Sequence, residues 1–103
     1  MEVRIEEQVR RLIFSVQPST AAKIWRTIDL LKEFGQRLSM PHSKKVAYKL
    51  FELRIRGQQE IRIFYCFFRG CAYLLHAFVK KSKKTPKREL EAALKMITDL
   101  TGI

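Results

Sequence analysis

The chain is poor in the residues that hold small secreted or metal-built domains together. It has two cysteines, Cys66 and Cys71, in 103 residues, too few for a disulfide framework, and no CxxC or Cys/His ligand set. No metal and no cofactor is expected, and both thiols read as small apolar residues of a reducing compartment. Four glycines and three prolines rule out collagen-like and low-complexity chains. No apolar run approaches the roughly 18 to 20 residues of a membrane span, and the opening MEVRIEEQVRR is too charged for a secretory signal. A cytoplasmic chain with no membrane partner is therefore expected. Acidic residues are also scarce: 10 against 21 Lys and Arg, a net charge of +11. That excess implies a polyanionic partner, either nucleic acid, anionic lipid or an acidic protein.

What is present fits one globular domain over 1–103, 47% hydrophobic. Ile5, Val9, Leu12, Ile13 and Val16 recur at helical spacing. After the break at Gln17-Pro18, Ser19 or Thr20 is placed to cap a second helix. That helix carries a stripe of Ala21, Ile24, Trp25, Ile28 and Leu31 and ends at Gly35. The short connection predicts an antiparallel helical hairpin. Gln36–Lys45 reads as a loop. Leu50–Arg56, Ile61–Phe68 and Ala72–Val79 read as three strands joined at Gly57-Gln58-Gln59 and Arg69-Gly70. Thr85-Pro86 then signals a last helix, Thr85 as cap and Pro86 in its first turn, with Leu90, Ala93, Leu94 and Ile97 inward. The expected class is α+β, an N-terminal hairpin on a three-stranded antiparallel sheet plus a C-terminal helix.

Register decides which cations meet. With a three-residue first turn, Arg56 faces Glu60 and Arg54 faces Arg62. With a two-residue second turn, Phe68 faces Cys71 and Arg62 faces Ala77. Counting on puts Tyr73, Leu75, Ala77, Val79 and Lys81 on the Arg62 face. Phe51, Leu53, Ile55, Ile61, Ile63, Tyr65, Phe67, Leu74 and Phe78 take the face that the helices cover, and His76 points there too. Directly opposed arginines destabilise a sheet by some tenths of a kcal/mol to about 1, whereas guanidinium forks match phosphate oxygens. The bland alternative is that Glu52 and Glu60 neutralise them on an ordinary solvated face. Lys44 and Lys45, and Lys80, Lys83 and Lys84 of the KKSKK run, add charge nearby. His42 lies on a loop. No Ser/His/Asp set, paired carboxylate or Gly-rich phosphate loop is visible.

The stretches LFELRIRGQQEIRIFYCF and AYLLHAFVKKSKKTPKRELEAAL, with EFG…L…P…KK ahead of them, resemble the RelE/ParE superfamily of type II toxins, and within it the phage-derived, HigB-like branch. The resemblance implies a RelE-like fold and a toxin that cuts mRNA in the ribosomal decoding site by 2′-hydroxyl transesterification. It assigns catalysis to Arg54, to Arg62 of RIFY and to Lys81 after the last strand. Arg56, Lys80, Lys83, Lys84, Lys44 and Lys45 are then expected to hold RNA. The implied partners are mRNA on the ribosome and a cognate antitoxin, partly acidic and carrying a helix-turn-helix domain. Two alternatives are a ParE-like gyrase poison and a non-catalytic basic RNA-binding domain. The chain departs from the pattern in two places: it is expected to open on a helix instead of an edge strand, and Ser82–Leu94 holds no tyrosine.

Overall fold

The computed structural model describes residues 1–102. Its elements in chain order are β1 (Glu2–Ile5), α1 (Glu7–Ser15), α2 (Pro18–Phe34), a 3-10 turn at Gly35–Arg37, β2 (Ser43–Ala47), β3 (Leu50–Ile55), β4 (Ile61–Phe68), β5 (Cys71–Val79) and α3 (Lys87–Thr101). The strands form one sheet of order β1-β5-β4-β3-β2. The α+β class holds. The sheet has five strands, however, and the chain opens on a strand.

Both extra strands lie at the edges, where local signals are weakest. In β1, Glu2 and Arg4 alternate with Val3 and Ile5, and the strand pairs parallel to β5 from Glu2↔Cys71 to Ile5↔Leu74. Ile5, Val9 and Leu12 also fit helical spacing, which hid the strand; α1 in fact starts at Glu7. β2 reads SKKVA and pairs antiparallel with β3. Its lysines are typical of a protected edge and look like loop composition.

The two N-terminal helices are not a self-packed hairpin. α1 lies against β5, and α2 lies against β1 and β3. Val9, Ile13, Ile24, Ile28 and Leu31 meet Leu53, Ile55, Ile63 and Leu74 in the main core. α2 starts at Pro18, which suits a first helical turn, and its N-cap Gln17 makes no side-chain cap. Thr20, expected as a cap, is buried instead. α3 covers β4 and β5 on the other face, where Ala93 meets Phe64, Cys66, Leu75 and Phe78. It begins at Lys87, with Pro86 at the N-cap and no side-chain cap, so Thr85 does not act as one.

Register is as expected at both turns. Arg54 pairs with Arg62 and Phe68 with Cys71, and Arg69 and Gly70 take positive φ of 50° and 78°, as a tight hairpin turn requires. Between the turns a bulge intervenes. Phe64 pairs with His76 but Tyr65 with Leu74, leaving Leu75 as the extra residue. Arg62 therefore pairs with Phe78, not Ala77. Beyond the bulge β5 is reversed: Ala77 and Val79 join the main core, while Phe78 packs under α3.

Candidate nucleic-acid interface

The face beneath α3 carries the charged cluster. Arg54 and Arg62 are opposed across β3 and β4, and Glu52 lies two residues before Arg54 on the same side. The Glu52 carboxylate bridges them, with Oε1 3.7 Å from Arg62 Nε and Oε2 3.8 Å from Arg54 Nε. Both distances are ion-pair contacts, too long for hydrogen bonds. Arg62 also donates from Nη2 to Glu60 at 2.9 Å and from Nη1 to the Ile61 carbonyl at 3.2 Å. Its side chain is only 1% exposed. Arg56 reaches Glu60 at 3.4 Å from the exposed side.

Arg62 is thus a buried strut held by two carboxylates. Arg54, 15% exposed, turns Nη1 to the Met40 sulfur at 3.3 Å, a weak acceptor. The three arginines outnumber their two glutamates, so the cluster stays cationic without being a bare floor. Lys44, opposite Glu52, adds an exposed cation to this face.

The bulge redistributes the other candidates. The Lys80 amide donates to the Glu60 carbonyl at 2.8 Å, continuing the ladder so that Lys80, not Lys81, falls in step with Phe78 and Arg62. Lys80 Nζ donates to the Lys83 carbonyl at 2.9 Å and Ser82 Oγ to the Lys84 carbonyl at 2.7 Å, which folds the loop back on itself. Lys81, Lys83 and Lys84 are exposed. Lys45 is separate: it pairs with Phe51 on the α1–α2 side and lines another cavity with Gln36 and Tyr48.

His76 is the clearest reversal. It was expected under the N-terminal helices, but its pairing with Phe64 puts it on the Arg62 face. There Nε2 lies 3.1 Å from the Glu89 carboxylate of α3. Phe78 and Arg62 are paired directly, so His76 is a diagonal neighbour of Arg62, at the ~7–8 Å such positions have.

Sequence reasoning also passed over the back of this corner. Lys23 and Arg26 of α2 share a cavity of about 270 Å³ with His42, Arg54 and Arg56. The signal was present: Lys23, Arg26, Thr27 and Leu30 repeat at i, i+3, i+4 and i+7, a second stripe beside the apolar one.

With the paired arginines, the bulge and the KKSKKTP loop placed, the family comparison has a structural meaning. Residues 11–98 match the family described as "Phage derived protein Gp49-like". The chain belongs to that family. The matched span of this Gp49-like chain takes in every element from α2 to β5, most of α1 and α3, and all the charged residues of the cluster. A search of curated proteins returns no match. Among the described residues no group of three or more His, Cys, Asp or Glu side chains could hold a metal, and no helix is long and apolar enough to cross a membrane.

Proposed function

We propose that this Gp49-like chain is the toxin of a type II toxin–antitoxin system and cuts mRNA on the ribosome. The observation that carries the reading is the opposed Arg54–Arg62 pair on one sheet face, kept cationic despite Glu52 and Glu60. A sheet selected for stability alone avoids such a pair; one that receives a phosphodiester uses it.

In the proposed reaction the RNA 2′-hydroxyl attacks the adjacent phosphorus as its proton leaves. The P–O5′ bond breaks, the 5′-oxygen takes up a proton, and the products are a 2′,3′-cyclic phosphate and a free 5′-hydroxyl. Arg54 stabilises the charge growing on the phosphoryl oxygens, a role worth about 3 kcal/mol for one preorganised donor. Arg62 acts from behind as a positioning residue, fixing Glu52 and through it Arg54. Lys81, beside Lys80, serves the leaving oxygen. His76, oriented by Glu89, is an imidazole on this face able both to accept and to give a proton. Arg56, Lys44, Lys80, Lys83 and Lys84 hold the strand; Lys45, on the other side of the sheet, serves the path to it. The cognate antitoxin is a partly acidic protein with a helix-turn-helix domain that covers these cations.

Inducible expression with primer extension on mRNA, with and without translation, tests the reading. Cleavage confined to translated mRNA, reduced about 100-fold by Arg54→Gln, is expected. Gyrase inhibition with intact mRNA would replace it by the gyrase-poison reading, and salt-dependent RNA binding without toxicity by the non-catalytic one.

A further inference from the structure

The cavity between α2 and β3 lies behind the paired arginines, and the roles proposed above leave most of its lining unused. Lys23 and Arg26 reach it from α2, Arg54 and Arg56 from the end of β3, and His42 from the loop before β2. Among the described residues no carboxylate lines it. Four permanent cations around about 270 Å³ repel one another, and the structure gives them weak partners. Lys23 Nζ donates to the Arg56 carbonyl at a long 3.4 Å, Arg54 rests Nη1 on a sulfur and holds Nε 3.8 Å from Glu52, and Arg56 meets the part-exposed Glu60 at 3.4 Å. The turn after β3 also makes room for the ammonium group: a Cβ on Gly57 would lie 2.9 Å from Lys23 Nζ.

The rest of the wall is mainly apolar, from Leu30, Pro41 and Ile55, beside Thr27, whose hydroxyl donates to the Lys23 carbonyl. A bare inorganic anion has no use for such a wall, whereas a sugar and base do. We infer that this cavity is a nucleotide-binding pocket, taking a phosphate on Lys23, Arg26, Arg54 and Arg56 and the nucleoside against the apolar side. The nucleotide is either free or one unit of an RNA strand; the phosphate chemistry is the same. The pocket stands apart from the nuclease reading and shares only Arg54 and Arg56 with it.

Calorimetric titration of the full chain at low salt tests the pocket, with adenosine 5′-monophosphate, adenosine and inorganic phosphate as probes. The monophosphate is expected to bind saturably and at least tenfold tighter than either fragment. The Lys23→Gln/Arg26→Gln variant, checked by circular dichroism for native fold, should bind it at least tenfold more weakly, while Lys95→Gln on exposed α3 binds as the unaltered chain does. A hexaribonucleotide that displaces the monophosphate places a strand unit in the pocket, and one that does not places a free nucleotide there; both support the site. No saturable binding, binding untouched by the double variant, or inorganic phosphate binding as tightly as the nucleotide would each overturn it. Binding by a chain that cuts no mRNA leaves the pocket standing and removes the nuclease reading, and cleavage without monophosphate binding does the reverse.

Discussion

Arg62 is a guanidinium almost wholly out of solvent, and its charge is tolerable only because Glu52 and Glu60 are there. Removing it leaves the Glu52 carboxylate, itself 8% exposed, with only the 3.8 Å contact to Arg54. Arg62→Ala should therefore destabilise the fold by about 3 kcal/mol, read from urea midpoints. A loss near that of an exposed pair, under about 1 kcal/mol, would mean the cluster is screened. Loss of activity in that variant says nothing about chemistry until folding is checked, which is why Arg54 is the better probe of the proposed reaction. Cys66 makes a second residue-level point. Burial pushes its thiol from the ordinary 9.0 up to about 11. Above pH 9 the unfolded chain releases a proton that the folded chain keeps, so this contribution is complete below pH 9 and drains away as pH rises to 11. Stability should fall by about 2 kcal/mol across that window and less steeply in Cys66→Ala. Burial raises Tyr65 as well, opposed in part by its hydrogen bond with Ser43, which steepens the decline above pH 10.

At the scale of elements, the edge of β5 is closed by two devices. β1 pairs with it as far as Leu74, and the Glu6 amide donates to the Leu74 carbonyl at 3.0 Å. Past the bulge, the Gln8 side chain of α1 takes over as a short substitute strand: Nε2 donates to the Ala77 carbonyl at 2.7 Å and Oε1 accepts from the Ala77 amide at 2.8 Å. Gln8→Ala would leave both buried backbone groups unpaired, so a loss of about 2 kcal/mol is expected, with faster hydrogen exchange at the Ala77 amide. Unchanged exchange there would show that the edge is closed without Gln8. The bulge itself was not legible in the sequence. Leu74, Leu75, Ala77, Phe78 and Val79 are apolar on both faces, so no alternation marks where the strand slips. One extra residue then moved His76 and Phe78 to the arginine face and put Lys80 where Lys81 was expected.

For the whole molecule, α1 and α2 cover one face of the sheet and α3 covers β4 and β5 on the other, leaving the cations to gather at the β3 end. A chain of net charge +11 should bind single-stranded RNA with a steep salt dependence. Five phosphate contacts imply a slope of about −3.5 for the logarithm of affinity against that of salt concentration. Filter binding from 50 to 300 mM salt measures it, and a flat profile would remove the cationic face from RNA recognition.

The amino-acid sequence by itself determined the three helices, the three central strands and both of their turns, because apolar spacing and turn residues are local and survive without tertiary context. It also determined that Arg54 opposes Arg62, since that follows from one short turn. Only the tertiary structure decided that two edge strands complete the sheet, that a bulge reverses β5, that Arg62 is buried between carboxylates and that α2 lends Lys23 and Arg26 to a cationic cavity. Each of these depends on which distant backbone and which distant charge arrives next to a residue, and no local pattern carries that information.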